Sequence, residues 1–178
     1  RPLSPYGASK LAGEGYCSAY AGTHNLNTIA LRFSNVYGPH AYHKGSVVAL
    51  FIKQLLRGEP ITIYGDGNQT RDFIHARDIA RAIHAALTTD LPHTFNLFQI
   101  ATGEETTINR LYDIIKLQME HHGYNIPPPI HAPPREGEIY RNYADISKAE
   151  ATLGYTPSVS LKDGIAETIA WFIDQQTP

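Results

Sequence analysis

The chain has 178 residues, 42% of them hydrophobic, with 15 Lys and Arg against 17 Asp and Glu. That is enough apolar surface for the core of one ordinary domain, which argues against disorder, and the charge balance excludes the basic field that draws proteins to phosphate backbones. Cys17 has no partner for an internal disulfide and no uncharged stretch approaches a membrane span, so a reduced, cytoplasmic setting is expected. The sequence opens at Arg1 without the layout of a signal peptide and runs straight into a helix-start signal, so it is expected to begin inside a longer protein.

Ser4 followed by Pro5 pairs an N-cap residue with a first-turn proline and predicts a helix over Pro5 to Ala21. Asn27 to Phe33 is short, β-branched and apolar, and predicts a buried strand ending near the turn at Gly38-Pro39. Val47 to Arg57 has helical spacing closed by Gly58. Ile61 to Tyr64 and Asp72 to His75 then read as two short strands joined as a hairpin around Gly65-Asp66-Gly67. Helices are predicted at Ala76 to Thr88, Thr107 to His122, Ser147 to Leu153 and Leu161 to Gln175, with a strand at Thr94 to Phe98. This alternation predicts an α/β protein. Asn125 to Arg135 holds five prolines and is expected to be an irregular loop over the surface or over a ligand.

In Tyr6-Gly-Ala-Ser-Lys10 a phenol and an amine lie four residues apart, which stacks them on one face of a helix. A cation so placed favours phenolate and makes the tyrosine a usable general base or acid. Spacing alone does not identify the pair: Tyr112 and Lys116 share it inside an ordinary amphipathic helix, where the structural reading is preferred. His40 with His43, and His121 with His122, lack carboxylate or cysteine companions at ligand spacing and read as surface residues, so no metal is expected.

What separates Tyr6 from Tyr112 is context. Ser4-Pro-Tyr-Gly-Ala-Ser-Lys-Leu-Ala-Gly-Glu14 is followed by Leu31-Arg-Phe-Ser-Asn-Val-Tyr-Gly-Pro39, Ile63-Tyr-Gly-Asp-Gly67, Arg71-Asp-Phe-Ile-His75 and Arg135-Glu-Gly-Glu138. In order and spacing these segments resemble the extended short-chain dehydrogenases that act on nucleotide sugars, over nearly the whole chain. The wording is most similar to the UDP-glucose 4-epimerase branch, with UDP-glucuronate decarboxylases and sugar-nucleotide dehydratases as near relatives.

The resemblance implies the end of a Rossmann-like doubly wound fold plus the smaller C-terminal substrate-binding α/β region. Residues 1–40 would be the last part of the NAD-binding region, and residues 41–178 mainly the nucleotide-sugar region, with about 76–98 packing back on the Rossmann sheet. It implies that Tyr6 takes the proton of the sugar 4-hydroxyl while hydride leaves C4 for NAD, that Lys10 holds the nicotinamide ribose, and that Phe33 packs near the nicotinamide. For substrate it implies Asn35 and the guanidinium groups of Arg71 and Arg135 on the diphosphate, Thr62, Ile63 and Tyr64 at the uracil, and Phe73 near the ribose. Without the surrounding motifs Phe33 would read as core, Asn35 as a turn residue and either arginine as a surface charge; for Phe73 a plain core role competes. Asn142 falls where the family limits space around the sugar 2-substituent, and its small size implies room for N-acetylated hexoses.

The chain departs from the family where NAD is concerned. Gly65-Asp-Gly67 and Gly13-Glu-Gly15 both lack the third glycine of the strand-to-helix dinucleotide turn, and the family's Ser or Thr partner of the tyrosine would precede Arg1. Most of the parallel sheet is therefore expected upstream, and the chain alone is expected to be inactive. The family also implies a homodimer through the Tyr6 helix. Decarboxylase or dehydratase chemistry, or a non-catalytic sugar-nucleotide-binding piece, stand as alternatives to 4-epimerisation.

Overall fold

The computed structural model describes residue 2 and residues 4–175; Arg1, Leu3 and residues 176–178 lie outside them. Helix α1 (Pro5–His24) starts at the Ser4 cap, whose hydroxyl accepts from the Gly7 amide at 3.0 Å. It runs a turn beyond the expected end because Gly22 stays helical, and it stops at Asn25 in the left-handed region with φ 50°. Strand β1 (Thr28–Phe33) follows, and after Ser34 a second strand not anticipated from sequence, β2 (Asn35–Tyr37).

Next come α2 (Val47–Leu56), β3 (Thr62–Tyr64), β4 (Thr70–Arg71), β5 (Phe73–His75) and α3 (Ala76–Thr88). The chain continues through β6 (Phe95–Ile100), β7 (Thr106–Thr107) and α4 (Ile108–His121). It ends with β8 (Ile130–Ala132), α5 (Ser147–Leu153) and α6 (Leu161–Asp174). Thr107 caps α4, accepting from the Arg110 amide at 3.1 Å, which is why that helix begins one residue later than its apolar pattern suggests.

Two expectations are overturned. Gly65 and Gly67 do turn the chain at positive φ, 69° and 73°, but the strands on either side do not pair with each other: β3 runs parallel to β8, and β5 runs parallel to β2. The segment around residues 125–135 is not wholly irregular, because β8 lies within it. Ile130, His131 and Ala132 sit between two proline groups and keep their amides, and a strand paired on one edge tolerates prolines just outside it.

β1 pairs in parallel with β6, in register from Thr28 opposite Phe95 to Phe33 opposite Ile100. β4 pairs antiparallel with β7. The chain thus changes partner at Ser34: β1 goes with β6, and β2 goes with β5. The change is held by the Ser34 amide donating to the Ile100 carbonyl and by the Ser34 hydroxyl and Asn35 amide both donating to the Asp72 carbonyl. Alternation along β5 serves two cores. Phe73 enters one with Ile52, Leu111, Ile165 and Phe172, while Ile74 enters the other with Phe98, Ile100, Ala82 and Ala149. Among the described residues no helix is long and apolar enough to cross a membrane.

Candidate active site

A crevice opens at Ser34, where the chain changes strand partner, with the carboxyl ends of β1 and β6 on one side and the first residues of β2 and β5 on the other. Two adjoining cavities share Asn35. One, of ≈ 450 Å³, is lined by Asn35, Thr62, Ile63, Tyr64, Arg71, Phe73 and Arg135, so seven residues drawn from four distant segments come together. The other, of ≈ 500 Å³, is lined by Tyr6, Phe33, Asn35 and Asn142, with Gln99 and Asp145 beside them.

On α1, Lys10 Nζ lies 5.1 Å from the centroid of the Tyr6 ring, the stacking that a four-residue helical spacing dictates. Tyr6 is 73% exposed and Phe33, at the end of β1, 44% exposed, leaving two aromatic faces open beside the ammonium. The helix is tied to β1 by Arg32, whose Nε and Nη2 each donate to a Glu14 carboxylate oxygen at 2.6 Å, and by the Thr28 hydroxyl, which donates to the Cys17 carbonyl. That ion pair holds the Glu14 carboxyl below its ordinary range. Tyr112, the competing match, lies on the buried face of α4 with its hydroxyl donating to the Pro127 carbonyl at 3.1 Å, which fixes it as structural.

At the other end, Arg71 Nη1 donates to the carbonyls of Thr70 and Ile139 and Nη2 to Glu138 at 3.2 Å. The Arg135 guanidinium lies 3.9 Å above the Tyr64 ring. Thr62 and Tyr64 face the cleft from one side of β3, while the Ile63 side chain points into the core and leaves its backbone to the cleft. Asn35 already spends one amide N–H on the Asp72 carbonyl at 3.1 Å, so one N–H and the carbonyl oxygen remain for a ligand. Phe73 is 4% exposed and serves core and cleft at once. Asn142 sits apart from the arginines, its backbone amide on Thr70 Oγ1, beside Tyr6.

Sequence reasoning missed Glu138, Gln69, Ser46 and Gln99. Glu138 sits within a quoted motif and could have been found there; Gln69, whose side chain donates to the Tyr64 carbonyl at 2.9 Å, and Ser46, just ahead of α2, carry no local signal. His40, His43, His121 and His122 are exposed, and among the described residues no group of three His, Cys, Asp or Glu is arranged to hold a metal ion. For NAD, the phenol, ammonium and aromatic face of Tyr6, Lys10 and Phe33 suit the nicotinamide-ribose end. No glycine turn leading from strand to helix cradles a pyrophosphate among the described residues.

Residues 1–97 match the family model of the NAD dependent epimerase/dehydratase family. The chain is 43% identical to a putative UDP-glucose 4-epimerase of Methanocaldococcus jannaschii over 96% of its own length and 53% of the relative's. It superposes on the UDP-glucose 4-epimerase of Thermotoga maritima, solved with UDP-glucose, with a TM-score of 0.89 at 36% identity, covering 98% of this chain and 55% of that one. On the UDP-glucuronic acid 4-epimerase of Bacillus cereus, solved with UDP-glucuronic acid and NAD, the TM-score is 0.87 at 33% identity, covering 98% and 54%. The chain therefore spans about half the length of the relatives it matches. The motif order, the α/β architecture and the converging residues have one common account: this chain belongs to the NAD-dependent epimerase/dehydratase family.

Proposed function

We propose that the protein is a nucleotide-sugar 4-epimerase of the UDP-glucose/UDP-galactose type, cytoplasmic, working through a 4-keto sugar. The observation that carries the reading is the continuous crevice with Tyr6 at one end, two guanidinium groups at the other and Asn35 at the joint. Arg71 and Arg135 would hold the diphosphate, Thr62, Ile63 and Tyr64 the base, and Phe73 the ribose. Asn35 would add an amide donor to the diphosphate, which leaves the hexose over Tyr6.

NAD, when bound, supplies the hydride acceptor, with Lys10 and Phe33 at its nicotinamide end. Tyr6 then holds and returns the proton of the sugar 4-hydroxyl at its phenol oxygen. Asn142, beside Tyr6, leaves room for an N-acetyl group, so UDP-GlcNAc is expected to be turned over as well as UDP-glucose; no activity on the acetylated sugar would sink that part. Residues 1–40 serve the cofactor side and 41–178 mainly the nucleotide sugar, with about 76–98 returning to the cofactor side. Of the twenty residues of α1 only Ala21 is buried, and the exposed Leu11, Tyr16 and Tyr20 support a homodimer formed through that helix.

The family name embraces dehydration as well as epimerisation, and the keto sugar serves both, so decarboxylation or dehydration is the second reading. The test is NAD content and conversion of UDP-galactose to UDP-glucose by the full-length protein, beside the 178-residue chain. Turnover is expected only from the longer form, and Tyr6→Phe is expected to lower its kcat by about 10²–10⁴-fold. Turnover by the short chain alone contradicts its dependence on a further segment, and a 4-keto-6-deoxy product decides for dehydration.

A further inference from the structure

Among the described residues, strand β3 pairs with β8 along one edge and with no strand along the other. On the paired side the Ile61 carbonyl accepts from the Ile130 amide and the Gly65 amide donates to the Ala132 carbonyl, each at 2.8 Å. Backbone groups alternate along a strand, so the amides and carbonyls of Thr62 and Tyr64 face the opposite, open edge. Thr62 and Tyr64 line the ≈ 450 Å³ cavity, and so does Gln69.

One group on the open edge is already taken. Gln69 Nε2 donates to the Tyr64 carbonyl at 2.9 Å, and the residue that makes this bond is only 6% exposed. The partner is a carbonyl, so the end of the Gln69 amide that meets it is the NH2 group. The fold itself sets Gln69 in place. Its carbonyl accepts from the Ile108 amide at 3.2 Å, and Asn109 bonds the carbonyls of Asp66 and Gly67 through its Nδ2 and its backbone amide. A Cβ at Gly67 would collide with the Asn109 side chain, so the turn that leads from β3 to Gln69 closes tightly on the start of α4. Arg135, 3.9 Å above the Tyr64 ring, covers one face of it, which gives hydrogen bonding along the strand more weight in the recognition of a flat ring.

We infer that Gln69 is a positioning residue for base recognition: by holding the Tyr64 carbonyl it sets the order of hydrogen-bonding groups that the open edge of β3 offers. The inference rests on the sugar-nucleotide reading above. With Gln69 in place the edge offers a donor, an acceptor and a donor, which are the Thr62 amide, the Thr62 carbonyl and the Tyr64 amide. Uracil presents the complementary series of acceptor, donor and acceptor at O2, N3–H and O4. Cytosine has an acceptor and an amino donor in the last two places, so two of the three positions oppose like groups. Loss of the Gln69 donor frees the Tyr64 carbonyl as a further acceptor, which suits that amino group.

The test is calorimetric binding of UDP, CDP and inorganic diphosphate to the full-length protein and to its Gln69→Met and Gln69→Glu forms. Methionine keeps the length of the side chain and donates nothing; ionised glutamate keeps its shape and likewise donates nothing. The wild type is expected to bind UDP about tenfold or more tightly than CDP. Gln69→Met is expected to narrow that ratio about three- to tenfold and to leave inorganic diphosphate, which has no base, within about twofold. Gln69→Glu is expected to narrow the ratio in the same direction while weakening all three anions.

Equal binding of UDP and CDP by the wild type overturns the inference. So does a ratio unmoved in both variants, which would make Gln69 a residue of the turn alone. A Gln69→Met form that no longer binds inorganic diphosphate has lost the site as a whole, and the ratio in Gln69→Glu then decides; the same loss in both makes Gln69 a folding residue and overturns the inference. A wild type that binds none of the three overturns the sugar-nucleotide reading, and the inference with it.

Discussion

The two ends of the crevice are built differently. The arginine end stands on a packed core in which Ile52, Ile61, Leu111, Ile115, Ile165 and Phe172 are fully buried; Arg71 is tied by three hydrogen bonds and Arg135 lies over the Tyr64 ring. The Tyr6 end stands on a helix with a single buried residue and a strand paired on one edge, joined by one bidentate ion pair and one hydroxyl bond. The arginine end rests on a core of its own, while most of the helix at the Tyr6 end is exposed. A reaction centre assembled at such a border is sensitive to both parts, and a binding site wholly inside one part is sensitive to that part alone.

The largest expected effect comes from breaking the core under the arginine end. Phe172→Ala removes a side chain with no exposure from the middle of the first core and is expected to cost about 3–5 kcal/mol, measured by denaturant unfolding of the chain. Leu11→Ala on the exposed face of α1 is expected to change the same measurement by less than about 0.5 kcal/mol. Equal costs would erase the distinction. Next in size is Asp72→Ala. The buried carboxylate accepts from the Thr102 amide and hydroxyl and from the Gly103 amide, all within 2.9 Å, and its loss strands three donors beside the strand that carries Phe73. A loss of about 2–4 kcal/mol is expected by the same assay, with weaker UDP binding.

The two ends were also unequally legible in the sequence. Tyr6 and Lys10 follow from helix periodicity, and the long helices from their apolar patterns and caps. Of the short strands, β3 and β5 followed, while β2, β4, β7 and β8 did not. β2, β4 and β7 have three residues or fewer, and nothing local distinguishes such a strand from a loop, because pairing with distant partners creates it. The same physics defeated the hairpin expected around Gly65 to Gly67. The turn is real, but β3 meets a partner 68 residues on at the Thr62–Ile130 pair. That seven residues meet in one cavity could be read only through motif resemblance, since nothing in a single sequence encodes the meeting of Asn35 with Arg135. Gln99 and Asp145 escaped for a related reason: each has an ordinary local role, in a strand and ahead of a helix.

A third measurement probes the junction of the two regions. His75, 2% exposed, ends β5, accepts from the Arg77 amide through Nδ1, and meets Tyr37 edge-on across β2. Glu167 of α6 approaches its Nε2 at 3.9 Å, with Arg77 and Asp78 on the following helix and Asp163 on α6 as the other charges. Burial lowers its pKa, with Arg77 adding to the effect and Glu167 and Asp78 opposing it. Below the ordinary value of 6.5 the unfolded chain therefore binds a proton that the folded chain resists. Stability from this residue is complete above that value and declines as pH falls through it, by at most about 1.4 kcal/mol per pH unit. His75→Asn, which keeps a capping acceptor, is expected to flatten that decline in urea unfolding between neutral and mildly acidic pH. An unchanged slope would assign the acid sensitivity to another group.

The smallest expected effect lies in the bond between α1 and β1. Arg32→Lys keeps the charge but loses the fork that meets both Glu14 oxygens. The pair is partly exposed, so the stability cost is expected to stay below about 1 kcal/mol. Its consequence for position is larger than its energy, because among the described residues it is one of two side-chain hydrogen-bonded ties between the helix that carries Tyr6 and the strand that carries Phe33. In the full-length protein Arg32→Lys is expected to lower kcat while UDP inhibition, which depends on the other end of the crevice, stays as it was. If both shift together the two ends are mechanically one unit; if neither shifts, residues beyond this chain hold the helix in place and the ion pair is redundant.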